Sequence, residues 1–561
     1  MDDVDRRVAA MLEDRSKIVH TVPPGRTWPS VHPDPATRER SLETTPQTVN
    51  PAAETFRFDV ASESRDVAAK LEEYAVESYG SSVQGEGLRD AISLTLAESW
   101  RRAQRGARDY LTAEEDYILA VIRLLIEQHR WDVRYFNDTT LTATNTWDDG
   151  SPSPALNIIN TLRAQKQLPS GGEVEAAWVT RASQDLREQV SAGYEQSSAV
   201  RLSATVPLLR GAGPVARESL IQSQRDLIYA ARSFERFRRR FLVSIADDYF
   251  RLIQTQAEIT NQERSLASLR TFRDGVQARV DAGRIPAFNV SIAENDVLNA
   301  QASLASLRER YILQLDQFKV RLGLDLKTPV VVKPLLIDVP IPATTLDAAT
   351  AAALDFRLDL QTARDRVDDA RRAVANAENA VLPDLNVGAR ATLPTNPRDD
   401  VSGLSFSPRD ANVEGVATLS LPLDRTIERL SVRQATIQLQ QRERSLDETR
   451  DEVVISVRGA LRGIDLAAFQ LKLAEQQVEI NRRRLQEQLL KIDTVEPRDV
   501  VQSENDLLAA ENRRDQRKTD LRNAVLNYLL ESDQLRVAPD GVFQPLPGML
   551  DPRPQDPPAN P

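Results

Sequence analysis

One segment of this chain occurs twice. Val290-Ser291-Ile292-Ala293-Glu294-Asn295-Asp296-Val297-Leu298-Asn299-Ala300 returns near the end as Val500-Val501-Gln502-Ser503-Glu504-Asn505-Asp506-Leu507-Leu508-Ala509-Ala510. The Glu-Asn-Asp triplets start at positions 294 and 504, 210 apart, and apolar flanking residues match at the same offset. A proline lies just upstream of each, Pro286 and Pro497. Self-similarity at a fixed offset means one supersecondary unit used twice, and that unit decides the fold.

The unit is mainly helical. From Val215 to Asp281 there is no proline and a single glycine, Gly275. At 1.5 Å per residue this predicts roughly 100 Å of helix, too long for the core of a small globule. Gly283 to Pro286 break it, and a second helix is expected from Phe288 to Leu322. There Val290, Val297, Leu304, Tyr311 and Phe318 recur every seven residues, with Ala293, Ala300 and Leu307 three further on, the pattern of a coiled-coil seam. Residues 215–322 therefore read as an antiparallel hairpin. The second half repeats the scheme: a proline-free helix from Ile427 to Lys491, a break at Glu496-Pro497, and a helix to Leu535. Ahead of each hairpin come a helix (Leu88 to Arg130; Thr345 to Ala380) and segments with strand character. Tyr135 to Trp147 is rich in Thr and aromatics, and Val174 to Val179 follows Gly171-Gly172. Pro152 and Pro154 mark a turn between them. Val200 to Val206, Leu385 to Leu393 and Val416 to Leu421 complete the strand candidates. In the last, Ala417, Leu419 and Leu421 oppose Val416, Thr418 and Ser420, the period of a strand with two unlike faces. Each half reads helix, strand, strand, long helix, tip, helix.

The expected divisions are a polar N-terminal extension over 1–85, with one short helix near 66–78, and repeat 1 over 86–327. A linker or short strand over 328–344, repeat 2 over 345–538 and a Pro-rich, unstructured tail over 539–561 follow. Hydrophobic residues make up 41% of the chain, enough for real burial, and aromatics only 5%, the bias of long helices and coiled coils. The net charge of −11 speaks against nucleic acid as a partner, since a phosphate footprint needs clustered Lys and Arg. The densest basic run, Arg236-Phe237-Arg238-Arg239-Arg240-Phe241, reads as a charged helix face backed by apolar residues. There is no cysteine, so disulfides and Cys-based zinc sites are excluded. No apolar run reaches the length of a transmembrane helix. The start, Met1-Asp2-Asp3-Val4, lacks the apolar core of an export signal, so the chain either stays inside or is shown without its targeting segment.

Two-stranded pieces with one apolar face do not stand alone. Copies arranged in a ring can pool their strands into one closed wall, which removes the open edges and allows an apolar outer face to sit in lipid. At this point particular strings become informative: Val206-Pro207-Leu208-Leu209-Arg210-Gly211-Ala212-Gly213 and Leu421-Pro422-Leu423 after strands, Ala282-Gly283-Arg284-Ile285 with Asn289-Val290 at the first tip, and Arg321-Leu322-Gly323-Leu324 ending that hairpin. Arg357-Leu358-Asp359-Leu360 and Leu382-Pro383-Asp384-Leu385 open the second repeat. In this order and spacing, over about 88–537, the chain resembles the TolC family of outer-membrane efflux proteins. The resemblance implies a fold mainly α with β: two structural repeats, long coiled-coil hairpins, and four strands per chain joining a trimeric twelve-stranded outer-membrane barrel. It further implies a homotrimeric export duct in outer-membrane lipid, reaching into the periplasm, that works with a periplasmic adaptor (membrane fusion) protein and an inner-membrane transporter. The stretch 148–195 is then expected to extend the outer loops or narrow the mouth.

By the same resemblance, Gly283, Arg284, Ile285, Pro286 and Ala287, with Val495, Glu496, Pro497 and Arg498, are the adaptor-docking tips. Any hairpin needs a turn, so a plain turn is the competing reading. Of two acidic residues that in the family ring the tunnel entrance, Asp499 matches the first, while Gln502 stands at the second. Leu490 and Val495 replace the family's gating Tyr and Arg. Three copies of Asp499 around a pore would favour cations; a solvated aspartate at a helix start is the alternative. Pro207, Gly211, Gly213 and Pro422 mark the strand-to-helix junctions. No catalytic constellation, metal site or cofactor is expected. Glu294 with Asp296, and Glu504 with Asp506, are two residues apart and do not share a helix face. Gly211-Ala212-Gly213 lacks the Lys-Ser/Thr of a phosphate loop. His129 reads as structural. The competing function is a coiled-coil scaffold or adaptor subunit, but no lipoyl-like β-domain interrupts the helices.

Overall fold

The two long hairpins form as the proline-free stretches require. The computed structural model describes residues 92–148, 151–185, 195–333, 341–342, 344–395, 405–491, 495–537 and 543–544. The extension over 1–85 and its expected helix lie outside them. Helices α1 (Leu96–Gly106) and α2 (Arg108–Trp131) lead into strands β2 to β5, then α3 (Glu218–Asp281) and α4 (Phe288–Arg321). In repeat 2, α5 (Leu346–Phe356) and α6 (Leu358–Ala380) lead into β7 and β8, then α7 (Thr426–Leu490) and α8 (Pro497–Glu531). With 64 residues, α3 runs about 96 Å. The α4 seam is buried where the seven-residue pattern puts it, at Ala293, Val297, Ala300, Leu304, Tyr311 and Phe318. Val501 of α8 joins Leu266, Leu269 and Val297 in one apolar cluster, so the two hairpins lie side by side. Glu511 of α8 fastens them: Arg264 of α3 donates to it at 3.1 Å and Arg482 of α7 at 3.3 Å.

Part-way along the hairpins a collar encloses the main core. Strand β1 (Ile92–Leu94) pairs in parallel with β6 (Val330–Val332). The sequence reading placed residues 92–94 in a helix. Their fate is set by Val330 and Val332, distant partners that three residues of local pattern do not reveal. Trp100 donates from Nε1 to the Leu242 carbonyl at 2.9 Å, and Tyr249 donates to the carbonyl of Lys333. Lys319 is fully buried, with its ammonium donating to the Leu326 carbonyl at 3.0 Å and lying 3.3 Å from Asp316.

Both helices expected ahead of the hairpins are broken once, at equivalent places. Thr95 caps α1 and Thr345 caps α5, each through its side-chain oxygen. Ala107 and Arg357 then interrupt with extended backbone, ψ 127° and ψ 120°. Tertiary contacts impose the breaks. Arg357 is buried and donates to Asp359 and to Ser456 Oγ at 2.7 Å, and forms a 2.9 Å ion pair with Glu531. Gly106 meets Gly323 backbone to backbone: at φ +73°, a Cβ on Gly323 would lie 2.0 Å from the Gly106 carbonyl oxygen. The basic run 236–241 is not a solvated face. Arg239 bridges Glu235 at 2.8 Å and Asp533 at 2.9 Å, Arg236 reaches Asp359 at 2.7 Å, and Phe237 stacks on Phe241. A charge run looks the same in sequence whether water or a neighbouring helix answers it.

The strands form one antiparallel sheet in the order β2-β3-β4-β5-β7-β8, comprising β2 (Arg134–Asp148), β3 (Ser151–Gln167), β4 (Glu173–Asp185), β5 (Glu195–Pro207), β7 (Asp384–Pro394) and β8 (Asn412–Ser420). Four strands were expected; repeat 1 supplies four by itself. Within 148–195, expected to extend the outer loops or narrow the mouth, β3 and β4 form an additional hairpin, and the strand expected at Val174 to Val179 lies in β4. Pro152 and Pro154, expected to turn, sit inside β3, opposite Trp147 and Asn145 of β2. Beyond the hairpins, Phe543–Gln544 of the expected unstructured tail pair with β9 (Arg536–Val537).

Two glycine substitutions test the collar. Gly323→Ala is expected to destabilise by about 2 kcal/mol or more, through both its positive φ and the clash. Gly275→Ala, in open space within α3, is expected to stabilise by up to about 1 kcal/mol. Denaturant midpoints of the two variants check this; equal midpoints would remove the close-approach argument.

Candidate functional site

Directly opposed residues of antiparallel strands share a face, so the register sorts every side chain of the sheet. One face collects Leu141 and Ala143 of β2, Leu156, Ile158 and Leu162 of β3, and Val174, Ala176 and Trp178 of β4. It continues through Val200, Leu202 and Ala204 of β5, Val387, Ala389 and Ala391 of β7, and Val413, Ala417 and Leu419 of β8. Even on the inner strands these side chains are open: Trp178 is 42% exposed and Leu202 51%. The opposite face carries Asp138, Arg163, Glu175, Arg181, Arg201, Arg390 and Glu414. There Arg163 pairs with Asp138 at 3.0 Å and lies over the Phe136 ring at 5.1 Å. Among the described side chains, Lys166 is the one charge on the apolar face, next to the end of β3. Polar residues on that face answer one another: Asn160 donates to Asn137 at 2.9 Å and to Thr139 at 2.7 Å. An apolar surface with self-satisfied polar groups is what hydrocarbon demands of a sheet. Among the described residues no helix is long and apolar enough to cross a membrane.

The junctions hold this sheet on the helices. After Pro207 the chain stays paired, with Leu208 donating to Leu385 at 2.8 Å, and Asn379 at the end of α6 accepts from the Gly211 amide at 2.7 Å. Gly211 and Gly213 have φ of +78° and +74° with open space around them. Backbone conformation, not crowding, therefore requires glycine here. At the partner turn both apply: Gly171 has φ +96°, and a Cβ on it would lie 2.4 Å from the Gly211 carbonyl oxygen. The Gly213 amide donates to Ser170 of that turn at 3.1 Å. Pro422 occupies the matching place after β8, where its carbonyl accepts from Arg425 at 3.3 Å and Asp424 caps the Thr426 amide at 2.9 Å.

The tips lie at the far ends of the same helices. Gly283, at φ +69°, closes α3 as Arg284 donates back to Arg279 at 2.9 Å. Gly283, Arg284, Pro286 and Ala287 are exposed, and Ile285 is half-buried. At the second tip Val495 donates to Lys491, Glu496 and Arg498 are exposed, and Pro497 begins α8. Asp499 and Gln502 are exposed on α8, while Val500, Val501 and Ser503 between and beside them are buried. Gln502 donates along the helix to Asp506 at 2.8 Å. Phe288, beside the first tip, is 62% exposed. The sequence reading gave it no role, although an aromatic just after a Gly–Pro break is a usable signal. His129 is exposed at the end of α2, 3.7 Å from Asp132.

Residues 350–527 match the sequence profile of the family described as outer membrane efflux protein. No curated protein sequence matches the chain. Among solved structures it is similar to the Campylobacter jejuni CmeC outer membrane channel, with TM-score 0.59 and 13% identity over 81% of this chain and 87% of that one. It is also similar to the outer membrane protein VceC from Vibrio cholerae, with TM-score 0.55 and 14% identity over 78% of this chain and 95% of that one. The open state of the Neisseria gonorrhoeae MtrE outer membrane channel gives TM-score 0.55 and 14% identity over 79% of this chain and 94% of that one.

The repeated triplets have diverged in environment. Glu294 is exposed, whereas Glu504 is half-buried between α3 and α8. Burial raises the Glu504 pKa above the ordinary carboxylate range, against the Ser268 hydroxyl that lowers it, and Glu511 adds to the rise. A raised folded-state pKa means this group's stabilising contribution is fully present below its unfolded value and is lost as pH rises through the folded one. Glu504→Gln is therefore expected to be more stable than wild type at pH 8 and to flatten the loss between acidic and neutral pH. Thermal unfolding across pH 4 to 8 checks this; an unchanged slope would show that Glu504 ionises freely.

Proposed function

We propose that this chain, a TolC-family outer membrane efflux protein, is one subunit of a homotrimeric channel-tunnel. Its sheet stands in outer-membrane lipid, its hairpins cross the periplasm, and cargo passes without chemical change. The observation that carries this is the two-faced sheet: an exposed apolar surface and a charged surface back to back, set at one end of helices about 96 Å long. A coiled-coil scaffold has no use for such a surface.

A single chain leaves interfaces open. Among the described residues, strands β2 and β8 are the two free edges of the sheet. Between Thr426 and Glu452, α7 has no buried residue, while Ile427 and Leu430 are exposed. Further along α7, Leu466, Phe469, Leu473 and Ile480 are exposed at spacings of three, four and seven, a second seam opposite the one packed on α8. Another copy of the chain is the natural occupant of both the edges and the seam.

At the other end, the exposed turn Gly283, Arg284, Ile285, Pro286, Ala287 and its counterpart Val495, Glu496, Pro497, Arg498 are placed to meet a periplasmic adaptor. An inner-membrane transporter would supply energy and choose the cargo. Asp499, with Gln502 one turn on, would line the narrow entrance if α8 faces the axis.

Detergent-extracted protein is expected to be a trimer that forms single channels in planar bilayers. Leu466→Glu or Phe469→Glu is expected to shift the trimer to monomer by light scattering, because an unpaired carboxylate in a packed seam costs several kcal/mol. A wild-type monomer without conductance would end the channel reading. Arg284→Glu together with Arg498→Glu is expected to leave conductance intact and to abolish export in cells; full export would remove docking from these tips.

A further inference from the structure

Resting on the channel reading above, we infer that the inserted hairpin β3–β4 is part of the lipid-facing wall, so that three chains close a barrel of eighteen strands, six from each, around a wide mouth. The hairpin is neither an outer loop nor a plug.

The register carries the argument. β3 is paired along both its neighbours, with β2 from Asp148 opposite Ser151 to Arg134 opposite Gln165, and with β4 from Asp185 opposite Ala155 to Glu173 opposite Gln167. Nothing in the ladder marks it as detachable. At 17 and 13 residues, β3 and β4 exceed the 9–11 that a transmembrane strand needs. Ile158, Leu162 and Trp178 continue the apolar face without a step, and Arg163 and Arg181 continue the charged one. A hairpin folded into an aqueous lumen would wet that apolar face. The turn of the hairpin is also built in. Gly172 lies so close to β5 that a Cβ would stand 2.4 Å from the Thr205 carbonyl oxygen, and the turn is hydrogen-bonded to the junction at Gly213. The insertion therefore begins and ends at the same membrane level as its neighbours.

The helices below can seat such a wall. Each chain brings α2, α3, α6 and α7 to the junction. Twelve helices about 10 Å apart make a perimeter of roughly 120 Å. Strands about 4.8 Å apart and tilted by about 40° take roughly 6 Å each, so eighteen give about 110 Å. Barrel diameter grows roughly in proportion to strand number, so the mouth would be about half as wide again as one of twelve strands. The narrowest part of the duct then lies at the tips, away from the membrane.

Two experiments test this. The first is electron cryomicroscopy of the purified trimer in lipid nanodiscs, where eighteen strands are expected at membrane level. The second uses the absence of cysteine in the chain: single substitutions Trp178→Cys and Arg181→Cys carry a spin label. The label at 178 is expected to be accessible to oxygen and shielded from a water-soluble nickel chelate, with the opposite pattern at 181. A conducting trimer with a twelve-stranded wall, or with both labels open to the chelate, would overturn this inference and leave the channel standing. A protein that neither trimerises nor conducts would overturn both.

Discussion

Everything in this molecule answers to the hydrogen-bonding need of a sheet that meets hydrocarbon. In lipid no water completes an open edge, so in the proposed channel β2 and β8, the outermost strands among the described residues, demand partners and the sheet must end by meeting itself. That demand fixes the rest. The strands alternate, the charges other than Lys166 go to one face, and on the other Asn160 donates to Asn137 and Thr139. The chain must also leave the sheet abruptly, since helices start directly below. Positive-φ glycines at 211 and 213, with Asn379 reaching across from the other repeat, make that exit.

The hairpins solve a second problem, reach. A helix about 96 Å long cannot be stabilised by its ends, and it is held at intervals instead. The collar of β1, β6, α1 and α5 encloses it where Trp100 and Tyr249 tie back to the backbone. Farther down, Glu511 draws Arg264 and Arg482 together across three helices. A carboxylate shared by two guanidinium groups keeps register where apolar seams alone would let long helices slide.

Sequence made the long helices, both tips, the junctions and the strand faces legible, because each is written in local periodicity or in a Gly or Pro at a fixed place. It hid what depends on distant partners. The breaks at Ala107 and Arg357 come from the Gly106–Gly323 contact and the Arg357–Glu531 ion pair, whose partners lie far away in the chain. The basic run at 236–241 resembles a solvated surface until Glu235, Asp359 and Asp533 are seen against it. β3 was hidden by Pro152 and Pro154, which as a local signal read as a turn. Of the candidate site, positions were legible and roles were not: the exposure of Asp499 and Gln502 in one chain is the same for a pore lining and for a plain helix start.

The first third of α7 buries no residue fully, and Val432, Ala435, Leu439 and Leu446 reach only half burial. Its order is therefore borrowed, and the persistence of that end of the subunit becomes a matter of mass action. In the proposed assembly, newly made chains would pass through a stage in which this face is bare, and the crowdedness of their kin would decide how briefly. Maturation and assembly are, for this segment, a single event.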